Sequence, residues 1–234
     1  RDFIDGVVVS GHLGELFLES HGVVFSPETA RINEFSVKNT DVSLTLGSIE
    51  STDTVPSEPL YWKILLDEID FENVGFALKM PQDSLFVRTM LPKTTLKNGV
   101  IDLKEASYYV KSFGIDNAEL AYGPKEELFL QQIGLQLDSI YYCGKDIRAN
   151  IEEFVLKERS GLELVSTEGR IVSDSVLIEI PKFTMKTTAS SLDLQTKIGW
   201  DVLEMKKTGV LSAKINAEIG KGDVAKILGG RDTL

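Results

Sequence analysis

The chain is poor in the residues that most enzymes and metal proteins depend on. It has one cysteine, Cys143, and two histidines, His12 and His21, in 234 residues. A single thiol excludes an intramolecular disulfide and leaves the redox compartment undetermined. The two histidines flank a short segment ending in the turn-like Ser20-His21-Gly22, and no clustered carboxylate or second cysteine completes a metal set around them. Basic residues are also short: 25 Lys and Arg stand against 36 Asp and Glu, a formal net charge of −11. That excludes the basic stripe of a nucleic-acid binder and simple electrostatic attachment to anionic lipid. No apolar run approaches the roughly 20 residues of a spanning helix, and no leader peptide is visible. Gly11-His12-Leu13-Gly14 and Gly220-Lys221-Gly222 lack the spacing of a phosphate loop, and no serine sits in a nucleophile elbow. Carboxylates are plentiful, but none stand out as a glycosidase-type pair. The reading is of a chain that is not an enzyme, with no catalytic residue, metal or cofactor, and with a binding, conduit or structural role.

What is present is a recurring pattern. Residues 180–194 read IPKFTMKTTASSLDL, residues 32–46 INEFSVKNTDVSLTL, residues 66–80 LDEIDFENVGFALKM, and residues 151–164 IEEFVLKERSGLEL. Each has an aliphatic residue, two polar residues, an apolar residue and another two later. A polar link follows, then Leu-x-Leu or Leu-x-Met. The apolar marks are Phe35, Val37, Leu44 and Leu46; Ile69, Phe71, Leu78 and Met80; Phe154, Leu156, Leu162 and Leu164; Phe183, Met185, Leu192 and Leu194. Period-2 pairs around a polar link predict four β-hairpins. The three-residue step at the start of each copy would flip the side chain to the other face of a flat strand. A β-bulge at Asn33-Glu34, Asp67-Glu68, Glu152-Glu153 and Pro181-Lys182 would restore the face.

The rest of the chain follows the same grammar. Residues 3–10 read as a strand, with Gly6 a possible bulge. Residues 48–59 are the most polar connection and the expected loop. Asn98-Gly99 predicts a hairpin turn. Residues 107–113 and 115–122 read as two further strands, and residues 128–142 as one long one. Residues 223–228 predict a helix capped by Asp223 and stopped by Gly229. The total is about sixteen short strands, joined mostly by hairpins, with at most one or two short helices. The fold class is therefore mainly β, one antiparallel sheet long enough to curl. Its apolar side either packs under a second sheet, as in a closed sandwich, or stays open as a trough.

Residues 135–200 carry a family resemblance. The elements are LDSIYY at 137–142, LKERSGLEL at 156–164, EGRIVSDSVLIEIPKF at 168–183 and MKTTASSLDL at 185–194, with Gly220-Lys221-Gly222-Asp223 and Gly229-Gly230 resembling a join met later in such chains. Together they resemble the N-terminal half of TamB-like proteins of Bacteroidetes-type bacteria, within the AsmA-like superfamily. Residues 61–122 fit more loosely, and residues 1–60 fit in style only. The resemblance implies one β-rich repeat segment, residues 1–234, of a longer chain anchored in the inner membrane and lying in the periplasm. It implies an elongated half-pipe, or β-taco, whose apolar groove holds phospholipid acyl chains. It further implies lipid transport and outer-membrane biogenesis, with an outer-membrane assembly partner met through parts of the parent chain not included here. The alternatives are a closed β-sandwich scaffold or adhesin-like domain and a β-rich glycoside hydrolase.

Overall fold

The computed structural model describes residues 2–4, 7–47, 61–80, 84–205 and 209–229. The strands are β1 (Asp2–Ile4), β2 (Val7–His12), β3 (Glu15–Phe25), β4 (Glu28–Leu46), β5 (Lys63–Met80), β6 (Leu85–Asp102), β7 (Ser107–Tyr122), β8 (Leu128–Cys143), β9 (Asp146–Glu158), β10 (Glu163–Ser173), β11 (Leu177–Thr187), β12 (Ser191–Gly199) and β13 (Leu211–Glu218). Two helices, α1 (Trp200–Leu203) and α2 (Lys221–Gly229), follow β12 and β13. All thirteen strands form one open, curled sheet. Its spatial order follows the sequence from β4 to β13, while β2 and β3 share the two halves of β4. Pairing is antiparallel throughout except between β4 and β5, which run parallel. The loop expected at 48–59 lies outside the described residues, as does Gly6.

The strands are fewer and longer than the pattern predicts, and the difference has one physical cause. Copies 151–164 and 180–194 are hairpins, β9–β10 and β11–β12. Copies 32–46 and 66–80 are not: each lies within a single strand, β4 or β5. Their polar links hold Asn39 and Asn73 at φ 50° and 54°, the left-handed region, where Asn is tolerated. One left-handed residue offsets the pleat without reversing the chain. Asn98 does the same at φ 53° inside β6, so Asn98-Gly99 is no hairpin turn. Residues 107–122 likewise run as one strand, bent at Asn117 (φ 54°). Ser20-His21-Gly22 is an irregularity within β3, with register shifts on either side of Ser20. Residues 3–10 divide into β1 and β2, which pair with each other.

Three of the four expected bulges occur as register shifts. Opposite β3, residue Asn33 is extra; opposite β8, Glu152 is extra; opposite β12, the shift falls between Ile180 and Phe183. At Asp67 the ladders to β4 and β6 pass with no shift, because Asn33 and Asn98 skip with it. These sites line up across neighbouring strands as two creases. One runs through Asn39, Asn73, Asn117 and Gln132, the other through Asn33, Asp67, Asn98 and Ser139, and the shifts at Glu152 and Pro181 stand close to the second on β9 and β11. Local bends of this kind curl a sheet.

Helix α2 begins at Lys221, two residues before the expected cap. Asp223 lies in its first turn, 2% exposed, and its carboxylate accepts from Thr187 Oγ1 and from Ser190 Oγ at 2.6 Å. The hydroxyls hold its pKa below the usual carboxylate value, Ser190 first and Thr187 second. Asp223 therefore fastens α2 to the β11–β12 turn and is not its cap.

Candidate functional site: an uncovered apolar face

Residues directly opposite in neighbouring strands share a face, so the register shows where each mark lies. Leu18 pairs with Phe35, Phe35 with Ile69, Ile69 with Leu96, Leu96 with Phe113, and Phe113 with Leu137. The line continues through Ile151, Gly169, Phe183 and Leu194 to Ile215. This rib crosses eleven strands, about 48 Å at ~4.8 Å per step. Its single gap is Gly169, and the Phe183 ring fills it: a Cβ there would stand 2.7 Å from Phe183 Cδ2. A second rib runs from Val23 through Ile64, Ile101, Tyr108, Tyr142, Ile147, Ser173, Ile178 and Ile198 to Leu211. A third, shorter one joins Val37, Phe71, Thr94, Ile115, Leu135 and Phe154.

The creases keep these ribs on one side. Where an apolar series steps by three, either a left-handed residue stands between, as Asn39 between Val37 and Thr40 and Ser139 between Leu137 and Ile140, or a register shift does, as at Asn33 and Glu152. Leu44 and Leu78 pair across β4–β5 beyond Asn39 and Asn73, and Leu46 and Met80 follow two residues on. Met185 pairs with Leu192, Leu156 with Leu164, and Leu162 stands in the turn before β10. Val37 is buried and the other fifteen candidate residues are half-buried. The pattern did not single out Leu18, Leu96, Phe113 or Ile215.

No described element lies over this face. Apart from α1 against β12, the elements in extensive contact are neighbours within the sheet. Of the two arrangements that the pattern allows, the described residues form the open one, since no second sheet is present among them. Val37 and Leu66 are still only 9% and 8% exposed. Among the described residues their cover comes from neighbours on the same face, as in a sheet curled toward it. Thr94 and Thr167 keep buried hydroxyls there without a hydrogen-bond partner among the described residues. No described side chain of Val, Leu, Ile, Phe or Met reaches the full burial of a closed core.

The opposite face is polar and cross-linked by ion pairs between neighbouring strands. Lys38 meets Glu72 at 3.4 Å, Lys97 meets Glu68 at 2.8 Å, and Lys197 meets Glu179 at 3.0 Å. Asp70, among Glu68, Lys93 and Lys97, is held above the usual carboxylate value, first by burial and then by Glu68. A depression here is lined by Glu34, Asp70, Glu72, Lys38 and Lys93, so its carboxylates are interleaved with ammonium groups. His12 and His21 are exposed, and His21 Nδ1 meets Asn33 Oδ1 at 2.5 Å. Cys143 is a free thiol near the Glu105 carbonyl. Among the described residues no cluster of three His, Cys, Asp or Glu side chains could hold a metal ion. No described helix is long and apolar enough to cross a membrane. No family model, curated protein or solved structure matches this chain.

Proposed function

We propose that the apolar face is a trough for acyl chains and that the chain works without catalysis, as a holder or conduit for phospholipid. The observation that carries this is the rib from Leu18 to Ile215, apolar or glycine in every strand it crosses and uncovered by any described element. A protein domain rarely leaves so continuous an apolar surface open unless something occupies it. Moving an acyl chain through water costs about 0.8 kcal/mol per CH₂ exposed. A continuous apolar wall removes that barrier with no cofactor. The acidic, ion-paired outer face keeps such a sheet soluble.

The same reading extends to a wider setting. The TamB-like resemblance supports a periplasmic segment of an inner-membrane-anchored chain that serves outer-membrane biogenesis, with an assembly protein reached through other parts of that chain. Lipid extraction and mass spectrometry of the purified protein test the core claim. Stoichiometric phospholipid, cross-linked from photo-reactive residues at Phe35, Phe154 and Leu194, is the expected outcome. Lipid-free protein with no cross-link at any of the three refutes it.

A further inference from the structure

The large amphipathic aromatic residues are not spread over the sheet. Strand ends form two rims, and the first rim carries the β3–β4, β6–β7, β8–β9 and β10–β11 turns. Tyr61 and Trp62 precede β5 there, Tyr108 and Tyr109 open β7, and Tyr141 and Tyr142 close β8. Trp200 follows β12 at the same rim. The sequence has two tryptophans and six tyrosines, and only Tyr122 lies at the other rim.

These rings follow the rim and not the trough. Tyr108 pairs with Tyr142 on the apolar face, ring centroids 5.9 Å apart, while Tyr109 pairs with Tyr141 on the polar face. Phe25 meets Trp62 edge-on at 5.7 Å, and Trp200 Nε1 donates to the Asp174 carbonyl. Beyond the rings stand apolar tips: Phe25 is 77% exposed, Val176 66% and Met205 93%. Lys63 is paired with Asp102, Arg148 with Asp146 and Lys145 with Glu204, and Glu28, Lys104, Glu105, Asp174 and Asp201 stand at the same rim.

We propose that this rim docks on the surface of a phospholipid bilayer. Trp and Tyr rings have an apolar body and a polar handle, which suits the level of the head groups. Phe25 and Val176 reach deeper, into the acyl boundary. Rings on both faces of the sheet fit a rim immersed on both sides. A lining for the trough would need them on the apolar face alone. From β3 to β12 the row is about 43 Å long, a reach that suits an extended soft surface. Because the described residues of this rim carry more carboxylates than cations, the docking takes zwitterionic lipid and does not depend on anionic head groups.

Both tryptophans lie on this rim, so their fluorescence reports docking directly. With phosphatidylcholine vesicles the emission should shift to the blue, and the protein should float with the vesicles in both about 0.01 M and about 0.5 M salt, between which the Debye length falls from about 30 Å to about 4 Å. Phe25→Ser and Val176→Ser should each weaken partitioning about tenfold, and Ile227→Ser at the other rim should not. The Leu192→Arg variant, altered in the trough, should still float, which separates this idea from the acyl-chain reading. Absence of both shift and flotation overturns it, as does loss of binding in salt. A blue shift that follows protein concentration without vesicles would assign the rim to self-association and equally overturns it.

Discussion

Arginine in place of Leu192 separates an open trough from a closed core. Leu192 is half-buried, opposite Met185 and Ala217, and is the second residue of β12. Full burial of a leucine is worth about 1.5–3 kcal/mol, so losing a half-buried one costs roughly 1 kcal/mol. Near the strand end the guanidinium can snorkel to water over the rim, and no described layer above it forces the charge into a dry interior. In a closed core the same change would bury an unpaired charge, at about 3–5 kcal/mol. With a urea slope of about 2 kcal/mol per molar, an open face predicts a midpoint lowered by roughly 0.5 M with cooperativity kept. Lipid cross-linking from Phe183 and Leu194 should vanish in the same folded protein. Global unfolding would refute the open face. A folded variant that cross-links lipid as before would refute the trough.

Other expectations concern the hydroxyls, the creases and the helix latch. Thr94→Val replaces a buried, unpartnered hydroxyl on the third rib, and should raise stability by about 1 kcal/mol in a chemical melt. Asn73→Val places a β-branched residue at φ 54° and should cost about 1–2 kcal/mol, whereas Asn73→Gly should be nearly neutral. For Asp223, the folded pKa lies below the unfolded one. Its stabilising effect is therefore complete above the ordinary carboxylate value and is lost as the pH falls through the depressed one. Amide exchange in α2 should accelerate in acid through that window, and Asp223→Asn should loosen α2 at neutral pH. Gly220→Ala should loosen it too, since its Cβ would stand 2.1 Å from the Ala189 carbonyl oxygen; unchanged exchange there would contradict the docking geometry.

Much of this fold was legible because its apolar marks repeat. The odd three-residue steps pointed to bulges, and three of the four polar doublets carry one. The same steps recur, unread, at Val37–Thr40, Phe71–Val74 and Leu96–Gly99, each around an asparagine. A polar Asn-containing link looks the same whether it reverses a chain or only offsets its pleat, which is why two repeats and Asn98-Gly99 read as hairpins. The identical 34-residue offset from Ile32 to Leu66 and from Val37 to Phe71 held the missing clue. Copies at constant spacing stack in register, and here they do so in parallel. The candidate residues were drawn from the repeat, so rib members outside it, such as Leu96 and Phe113, escaped. The aromatic rim was invisible for another reason: residues 62, 108, 142 and 200 become neighbours only once alternate strand ends are gathered on one side.

The ribs have a further consequence. Every strand from β3 to β13 contributes one residue to the first rib, and from β5 onward each strand pairs antiparallel with the next. Adding or removing one hairpin between, say, β8 and β11 would change the length of the wall by about 9–10 Å and leave its cross-section alone. Length is thus a free parameter of this architecture, set by counting strands, while width is set separately by the length of each strand. A lineage could match such a wall to whatever gap it has to cross by gene duplication of hairpins, without redesigning a single contact along its surface.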